Sequence, residues 1–255
     1  MIEVVQLSGD RVRPDPSPPG PSFTAQARQY LQDSFDSLLA QDPELSGVVL
    51  RMQSEGMLGV VFGGWARDRL FEHMLRRECP SRDIDFVAWG KASVATVFPP
   101  EAVRNPFGGV GIGGSRIHID AWDLPNTFLI RRNSLRVEFD QLPATADYNV
   151  NAVVFRPAQF FGVPGLLDGG AANAFASGQL DFMADEVAQP RVQAARALIL
   201  SARFDLTLSD TVRSFVKYVC KTSDSIEAVK GGLADYCPPQ FLSRANGILQ
   251  SLIEQ

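Results

Sequence analysis

Cysteine and histidine are scarce in this 255-residue sequence, which contains three cysteines and two histidines. Cys79, Cys220 and Cys237 lie far apart and form no Cys-x-x-Cys pair. This spacing suggests neither a disulfide framework nor a zinc site built on cysteine pairs. Isolated cysteines are typical of proteins kept in a reducing compartment, so we expect a cytoplasmic protein.

The sequence also lacks a long apolar run and an excess of positive charge. No segment approaches the roughly 20 apolar residues of a membrane-spanning helix, and the first residues, MIEVVQLSGDRVRP, do not resemble a signal peptide. We therefore expect no contact with a membrane. The net charge of −5 excludes a uniformly basic nucleic-acid-binding protein but still allows a local basic patch for RNA.

Proline and periodicity divide the chain into three predicted regions. Residues 1–22 include RVRPDPSPPGPS, whose five prolines favour an extended, proline-rich arm. Residues 23–170 alternate strand-like and helix-like runs, and residues 171–255 are patterned almost entirely as helices. The predicted fold class is therefore α+β (an α/β head with a small mixed sheet flanked by helices), followed by a helical C-terminal domain. Its helices are predicted at residues 185–204, 209–221, 223–230 and 238–254, with a break at Gly231 and Gly232.

Within the head, apolar runs predict strands at residues 58–62, 83–88, 116–122, 134–139 and 149–155, and a helix at 65–77. Ser22 or Thr24 is the expected N-cap of the first helix. The glycine-rich residues 108–114 favour a hairpin turn over a phosphate-binding loop. We expect Trp65 and Trp122 to be core or rim aromatics rather than platforms for base stacking.

Residues 58–90 contain the pattern on which the functional prediction depends. A buried strand leads into Gly63 and Gly64, and a helix carrying Arg67 and Asp68 follows. Backbone N–H groups at a helix N-terminus favour phosphate, and glycine lets the backbone approach a ligand closely. The glycine pair is therefore a predicted phosphate site.

Carboxylates follow on the next strands. Asp83 and Asp85 are two residues apart, so they share one face of a strand, and His118 and Asp120 share a face of another. Neighbouring carboxylates repel unless a cation lies between them. If the two strands pair, Asp120 adds a third carboxylate, and three carboxylates can hold two Mg²⁺ ions for in-line displacement at phosphorus. For His118, a bond to the backbone is weighed against a partnership with Asp120.

These motifs carry little information singly, because a lone Asp-x-Asp or a lone glycine pair is common. The order strand, Gly-Gly, helix with Arg-Asp, loop, strand with Asp-x-Asp is much rarer by chance. It therefore favours a nucleotidyltransferase-type site over coincidence.

The stretch GGWARDRLF…RDIDFVAWG resembles the GGxxRDxLLG…DxD signature of the DNA polymerase β-like nucleotidyltransferase superfamily, and among its members bacterial poly(A) polymerases and CCA-adding enzymes in particular. DYNVNAV at residues 147–153 is similar to their RRDFTxNA segment. RALILSARFDLTL at residues 196–208 is similar to their RAxRFAxRLxFxL helix. The LDGG turn at residues 167–170 also has a counterpart, so the resemblance covers residues 58–208.

This resemblance implies a polymerase β-like head that binds an NTP with Mg²⁺ or Mn²⁺. It implies that Gly63 and Gly64 contact the triphosphate and that Asp83 and Asp85 hold metal ions, to which the strand argument adds Asp120. A solvated charged face is the alternative for Arg203. Residues that would position ribose, phosphates or RNA are Arg67, Asp68, Asp147, Asn151, Arg196 and Arg203.

Several features depart from the family pattern. The segment between Asp68 and Asp83 is longer, Thr145 and Ala146 replace a pair of arginines, and there is no EDxxR-like element to select the base. From its length, we expect this sequence to lack the region with which CCA-adding enzymes grip tRNA. DAWDL at residues 120–124 resembles a strand of accessory superfamily members, among which toxins and phage-defence proteins occur. We therefore expect a specialised transferase rather than C-C-A synthesis.

The leading prediction is a metal-dependent enzyme that moves a nucleoside monophosphate from an NTP to an acceptor hydroxyl, at an RNA 3′ end such as that of tRNA. One alternative is nucleotidylation of a protein or small molecule. Another is a catalytically weak nucleotide-binding regulatory or antitoxin-type module. A regulatory protein partner is left open. The basic residues available for RNA are Arg76, Arg77, Arg82, Arg131, Arg132 and Arg136.

Overall fold

The structure, a computed structural model, describes residues 3–7, 23–105 and 108–254. The predicted proline-rich arm, residues 1–22, lies outside the described residues except at 3–7. The described residues form two compact units, one from within 21–145 and 151–171 and the other from within 1–20, 146–150 and 172–255. That these units correspond to a catalytic and a helical domain stays a prediction.

Strands and helices alternate over most of the described chain, and helices dominate its end. The elements are β1 (Val4–Gln6), α1 (Ala25–Gln41), α2 (Pro43–Ser54), β2 (Leu58–Phe62), α3 (Gly64–Leu75), β3 (Asp83–Trp89), α4 (Val94–Val97), β4 (Val103–Arg104), β5 (Val110–Gly113), β6 (His118–Asp123), α5 (Phe128–Arg132), β7 (Val153–Arg156), α6 (Ala158–Phe161), β8 (Gly165–Asp168), α7 (Ala171–Ser177), β9 (Gln179–Leu180), β10 (Glu186–Ala188), α8 (Pro190–Phe204), β11 (Thr207–Leu208), α9 (Asp210–Val219), α10 (Ser223–Tyr236) and α11 (Pro239–Ile253). Short 3₁₀ helices lie at Leu124–Asn126, Phe139–Thr145 and Asn149–Asn151.

A seven-stranded mixed sheet with helices packed on it organises the first unit. Its strand order is β4-β5-β6-β3-β2-β7-β8. β3 and β6 run parallel, whereas β2 pairs antiparallel with both β3 and β7. The predicted α+β class with a mixed sheet flanked by helices is confirmed.

Apolar residues of β2 and β3 form the centre of the first unit. Val60, Val61, Ile84 and Phe86 are fully buried, so the alternation along β3 leaves Asp83 and Asp85 on the opposite side. Phe35 of α1 meets Phe86 and Trp65 edge to face, with ring centroids 6.1 and 6.0 Å apart. Trp65 is therefore a core aromatic, as expected.

The predicted strand at residues 134–139 is wrong. α5 ends at Arg132, and Ser134 adopts a left-handed conformation with φ +49°. The N–H of Leu135 then donates to the carbonyl of Ile130 at 3.0 Å, closing a turn. The alternating sequence Leu135, Val137, Phe139 resembled a strand, but Val137 is 40% exposed and has no core face to pack against.

The second unit contains α8 to α11, which match four predicted helices in number and differ most from them at two boundaries. α8 begins at Pro190 rather than residue 185 because β10 pairs antiparallel with β1 just before it. The predicted break at Gly231 and Gly232 is wrong, since both lie inside α10. A Cβ on Gly232 would lie 3.1 Å from Ala195 Cβ of α8, so glycine there serves close helix packing.

Residues 147–149 also pack in the second unit. Tyr148 is fully buried, stacks on Phe182 with centroids 4.9 Å apart, and donates its hydroxyl proton to the carbonyl of Gln193 at 2.7 Å. Burial raises the pKa of Tyr148 well above its usual value, and the charge of Asp147 raises it further. Among the described residues, no helix is long and apolar enough to cross a membrane.

Candidate active site

A glycine pair connects β2 to α3, as the sequence predicts. Gly63 has φ +73°, which residues with a side chain rarely adopt. Its N–H donates to the carbonyl of Val153 at 3.0 Å, and Gly64 begins α3. Among the described residues, no side chain caps this end of the 12-residue helix. The N–H groups of its first turn are therefore suited to an anion such as phosphate.

Asp83 and Asp85, the carboxylate pair, both approach the glycine turn. A Cβ on Gly64 would lie 3.9 Å from Asp83 Oδ1 and 4.0 Å from Asp85 Oδ2. Asp83 is exposed and Asp85 is half-buried. The start of α3 and two solvent-accessible carboxylates therefore meet around the space that Gly64 leaves open.

Asp120 lies beside the carboxylate pair in the sheet. β3 and β6 pair, which is the condition under which Asp120 joins the site, and Asp85 lies opposite Asp120. The Asp120 carboxylate lies 3.3 Å from His118 Nε2 and accepts a hydrogen bond from the side chain of Asn105. Burial and the charge of Asp83 raise the pKa of Asp120, whereas His118 and Asn105 oppose that rise. His118 is thus a partner of Asp120.

The carboxylate pair suits a magnesium ion. Mg²⁺ prefers oxygen donors and is commonly held by one or two carboxylates together with substrate phosphates. Asp83 and Asp85 supply that donor set beside the phosphate-suited helix end. Among the described residues, however, no three histidine, cysteine, aspartate or glutamate side chains are grouped closely enough to hold a metal. Metal binding by these residues, including Asp120, stays a prediction.

The Arg-Asp motif of α3 forms a buried network that consists of Arg67, Asp68, Ser81 and Asn151. Arg67 Nε donates to Asp68 Oδ1 at 2.8 Å, and Nη1 donates to Asn151 Oδ1 at 2.5 Å. Ser81 Oγ donates to Asp68 Oδ2 at 2.8 Å. Arg67, Asp68 and Asn151 are at most 6% exposed. The network ties α3 to the approach to β3, two residues before Asp83. Contact of Arg67, Asp68 and Asn151 with a nucleotide stays a prediction.

Three further predicted residues belong to the second unit. Arg196 of α8 forms an ion pair with Asp147, with Arg196 Nη1 and Asp147 Oδ2 3.2 Å apart. Arg203 lies with its guanidinium carbon 5.1 Å from the centre of the Phe204 ring. Their predicted contacts with ribose, phosphate or RNA are not tested by these interactions and stay predictions.

Sequence reasoning missed Ser81 and Asn105, because a single serine or asparagine in a loop has no distinguishing pattern. It also treated the arginines as one group available to RNA, although some have partners within the chain. Arg136 Nη1 lies 3.1 Å from Glu138 Oε2. Arg77 lies with its guanidinium carbon 5.5 Å from the centre of the Phe71 ring.

Comparison with known proteins finds similarity in structure only. No protein-family model and no curated protein sequence matches the chain. A solved CCA-adding enzyme with ATP matches with a TM-score of 0.59 and 16% identity, over 89% of this chain and 54% of that chain. A CCA-adding enzyme with CTP matches with a TM-score of 0.55 and 18% identity, over 85% of this chain and 54% of that chain. The Thermotoga maritima CCA-adding enzyme complexed with tRNA matches with a TM-score of 0.56 and 18% identity, over 89% of this chain and 53% of that chain.

The chain spans about half the length of these solved structures. At identities of 16–18%, the similarity shows the fold and not the reaction. The resemblance inferred from the glycine, Arg-Asp and Asp-x-Asp motifs is confirmed at that level. Over most of its length, this chain has the fold of the CCA-adding nucleotidyltransferases.

Proposed function

We propose that the protein is a metal-dependent nucleotidyltransferase that transfers a nucleoside monophosphate from an NTP to an acceptor hydroxyl and releases pyrophosphate. The observation that carries this proposal is the meeting of Asp83 and Asp85 at Gly64, where α3 begins. A phosphate-suited helix end beside two carboxylates, on the fold of enzymes solved with CTP and ATP, supports an NTP as the substrate.

Each residue of the site has a part in this reaction. The N–H groups at the start of α3 bind the triphosphate, and Gly63 and Gly64 let it approach the backbone. Asp83 and Asp85 would hold Mg²⁺ or Mn²⁺, and a bound ion there would supply positive charge to the phosphates and to the attacking hydroxyl. Asp120 accepts the proton of that hydroxyl. The acceptor oxygen then bonds to the α-phosphorus as the bond to pyrophosphate breaks.

For the acceptor, we propose an RNA 3′ end such as that of tRNA. The support is the fold shared with an enzyme solved in complex with tRNA, together with arginines in the first unit such as Arg131 and Arg132 at the end of α5. A toxin or defence role and a regulatory protein partner rest on the sequence alone. A cytoplasmic location accords with the burial of all three cysteines.

The proposal is tested by incubating the protein with each labelled NTP, Mg²⁺ or Mn²⁺, and total cellular RNA. We expect label in an RNA band that is lost in Asp83→Asn/Asp85→Asn and kept in Asp140→Asn, an exposed aspartate outside the site. Label in protein or in a small molecule would show that this molecule, and not RNA, is the acceptor. Binding of NTP without any transfer would contradict a transferase and support a regulatory module.

A further inference from the structure

The glycine-rich hairpin of β4 and β5 faces Asp120. β5 pairs antiparallel with β6, placing Gly111 opposite Asp120 and Gly113 opposite His118. A Cβ on Gly111 would lie 2.4 Å from Asp120 Oδ1 and 2.9 Å from His118 Nε2. At Gly113, by contrast, the added Cβ has no atom within 4 Å among the described residues other than its neighbours in the chain. Only Gly111 therefore leaves space that the carboxylate occupies.

Three groups bound this space, which we call the Asp120 niche: Gly111, His118 and Asn105. His118 Nε2 lies 3.3 Å from Asp120 Oδ2. Asn105 donates a side-chain hydrogen bond to the same carboxylate. On the β5 side, the niche is therefore bounded by Gly111, which has no side chain. His118 and Asn105 are its two polar residues.

Asn105 is itself oriented by the hairpin. Its N–H donates to the carbonyl of Gly109 at 2.9 Å, and the N–H of Gly109 donates to Asn105 Oδ1 at 3.0 Å. Because the amide oxygen is engaged by the loop, the amide nitrogen is left to donate to Asp120. A Cβ on Gly109 would lie 2.8 Å from that nitrogen and 2.4 Å from Trp122 Nε1. The hairpin thus fixes the direction of the donor.

We propose that Gly111, Asn105 and His118 are positioning residues that hold the Asp120 carboxylate where it accepts the proton of the acceptor hydroxyl. The proposal rests on the proposed transferase function and adds to it the hairpin as a part of the site. An added Cβ would contact the Asp120 carboxylate at position 111 but would lie in open space at position 113. A need for glycine in a tight turn would not explain this difference.

The decisive comparison is Gly111→Ala against Gly113→Ala. The atoms displaced by Gly111→Ala, Asp120 Oδ1 and His118 Nε2, are the ends of two side chains, so we expect a melting temperature close to that of the wild type. Loss of a positioned general base costs about 10²–10⁴-fold. We expect kcat to fall about 100-fold in Gly111→Ala, with the KM for NTP changed less than about threefold, because the phosphate site is untouched. Gly113→Ala should keep both values.

A second readout does not need activity. The sequence has two histidines, His73 and His118, so their ring nitrogen NMR signals are readily assigned. At one fixed pH, we expect Gly111→Ala and Asp120→Asn to move the His118 signals and Gly113→Ala to leave them in place. His73, whose ring lies 4.9 Å from that of Tyr30, is the internal reference and should not move in any variant.

Asn105 gives a matched pair of variants. Asn105→Asp keeps an oxygen that can accept from the N–H of Gly109 but removes the donor to Asp120, whereas Asn105→Ala removes both. We expect kcat to fall in both variants, because neither donates to Asp120, and Asn105→Asp also places a repelling carboxylate beside it. Full activity in Asn105→Asp would overturn the role of the donor.

The outcomes separate this proposal from the transferase function. An active wild type in which Gly111→Ala matches Gly113→Ala in both kcat and His118 signals overturns the niche and leaves the transferase function standing. A higher kcat in Gly111→Ala also overturns the proposal, because the niche would then hold Asp120 out of the reaction. If the wild type is inactive but Gly111→Ala still moves the His118 signals, both the transferase function and the role of the niche in it are overturned. The position of Asp120 in the niche is then still supported.

Discussion

The carboxylate pair and the Arg-Asp motif of the buried network come from one short stretch of sequence but differ in exposure. Asp83 is exposed and Asp85 half-buried, whereas Arg67 and Asp68 are 6% and 1% exposed. Ionised groups that face solvent are open to a cation or substrate. Ionised groups held in a buried network with their own partners support the structure around them. Substitutions in the Asp-x-Asp motif and in the Arg-Asp motif should therefore have different effects on activity and stability.

We expect substitutions in the carboxylate pair to reduce activity without reducing stability. We expect substitutions in the buried network to reduce stability. Removing a repelling carboxylate relieves charge in the free protein. Removing one member of a buried ion pair leaves the other charge without compensation. Transfer assays and unfolding measurements on the same variants therefore test the comparison directly.

The largest effect is expected for Asp83→Asn/Asp85→Asn. Loss of metal binding removes several kcal/mol of transition-state stabilisation, so transfer should fall at least about 1,000-fold. The melting temperature should stay equal to that of the wild type or rise, because the asparagines no longer repel each other. A radiolabel transfer assay and thermal unfolding give the two values, with Asp140→Asn as the control. A double variant that unfolds would show that the carboxylates support the fold.

Arg67→Ala should act on the fold first. Its Nη2 lies 2.7 Å from Asp68 Oδ1, and both side chains are nearly inaccessible to solvent. Breaking a buried ion pair on one side costs about 3–5 kcal/mol. Urea unfolding should show a loss of that size, against less than about 1 kcal/mol for Arg136→Ala, whose ion pairs are exposed. A stable Arg67→Ala without transfer activity would instead support direct contact with the nucleotide.

The sequence predicted the central part of the first unit because local patterns determine it. Alternation along β3 put Ile84 in the core and both carboxylates outside it, and the glycine pair marked the turn into α3. These features depend on residues close in sequence, with periods that a strand or helix imposes.

Other features depend on which residues meet across the fold, and the sequence did not predict them. The Asp120 niche exists because β5 and β6 pair with Gly111 opposite Asp120, a register that no local pattern sets. The strand expected at residues 134–139 had the alternation but no neighbouring strand. Gly232 fits inside α10 because Ala195 of α8 packs against it. In each case the partner lies far along the chain.

Ser81→Ala tests the edge of the buried network with a smaller effect. Ser81 Oγ donates to Asp68 Oδ2 at 2.8 Å, and Ser81 is only partly buried. Loss of one hydrogen bond to a charged group costs about 1.5–3 kcal/mol, and water can replace part of it at a partly exposed site. We expect a loss of about 1–2 kcal/mol in urea unfolding, with Ser54→Ala, an exposed serine, as the control. Ser81→Ala with normal stability but lost transfer would place Ser81 at the substrate.

Asp42 is a third kind of carboxylate, because it is fully buried yet surrounded by donors. It accepts hydrogen bonds from the backbone N–H groups of Leu45, Arg116 and Ile117 at 3.0, 2.7 and 3.3 Å. Burial alone would raise the pKa of Asp42, but these hydrogen bonds outweigh it and hold the pKa below its usual value. Asp42 thus fastens the start of α2 to the turn before β6 in its ionised form.

The lowered pKa of Asp42 predicts an acid-dependent loss of stability. The unfolded chain binds a proton at Asp42 near pH 4, whereas the folded protein binds it only at lower pH. Its stabilisation is therefore present above about pH 4 and lost as pH falls through the folded pKa. Asp42→Asn lacks the charge, so its deficit in unfolding free energy relative to wild type should be constant from neutral pH to about pH 5 and shrink below about pH 4. A deficit that stays constant throughout that range would show that Asp42 acts through its shape and not through its charge.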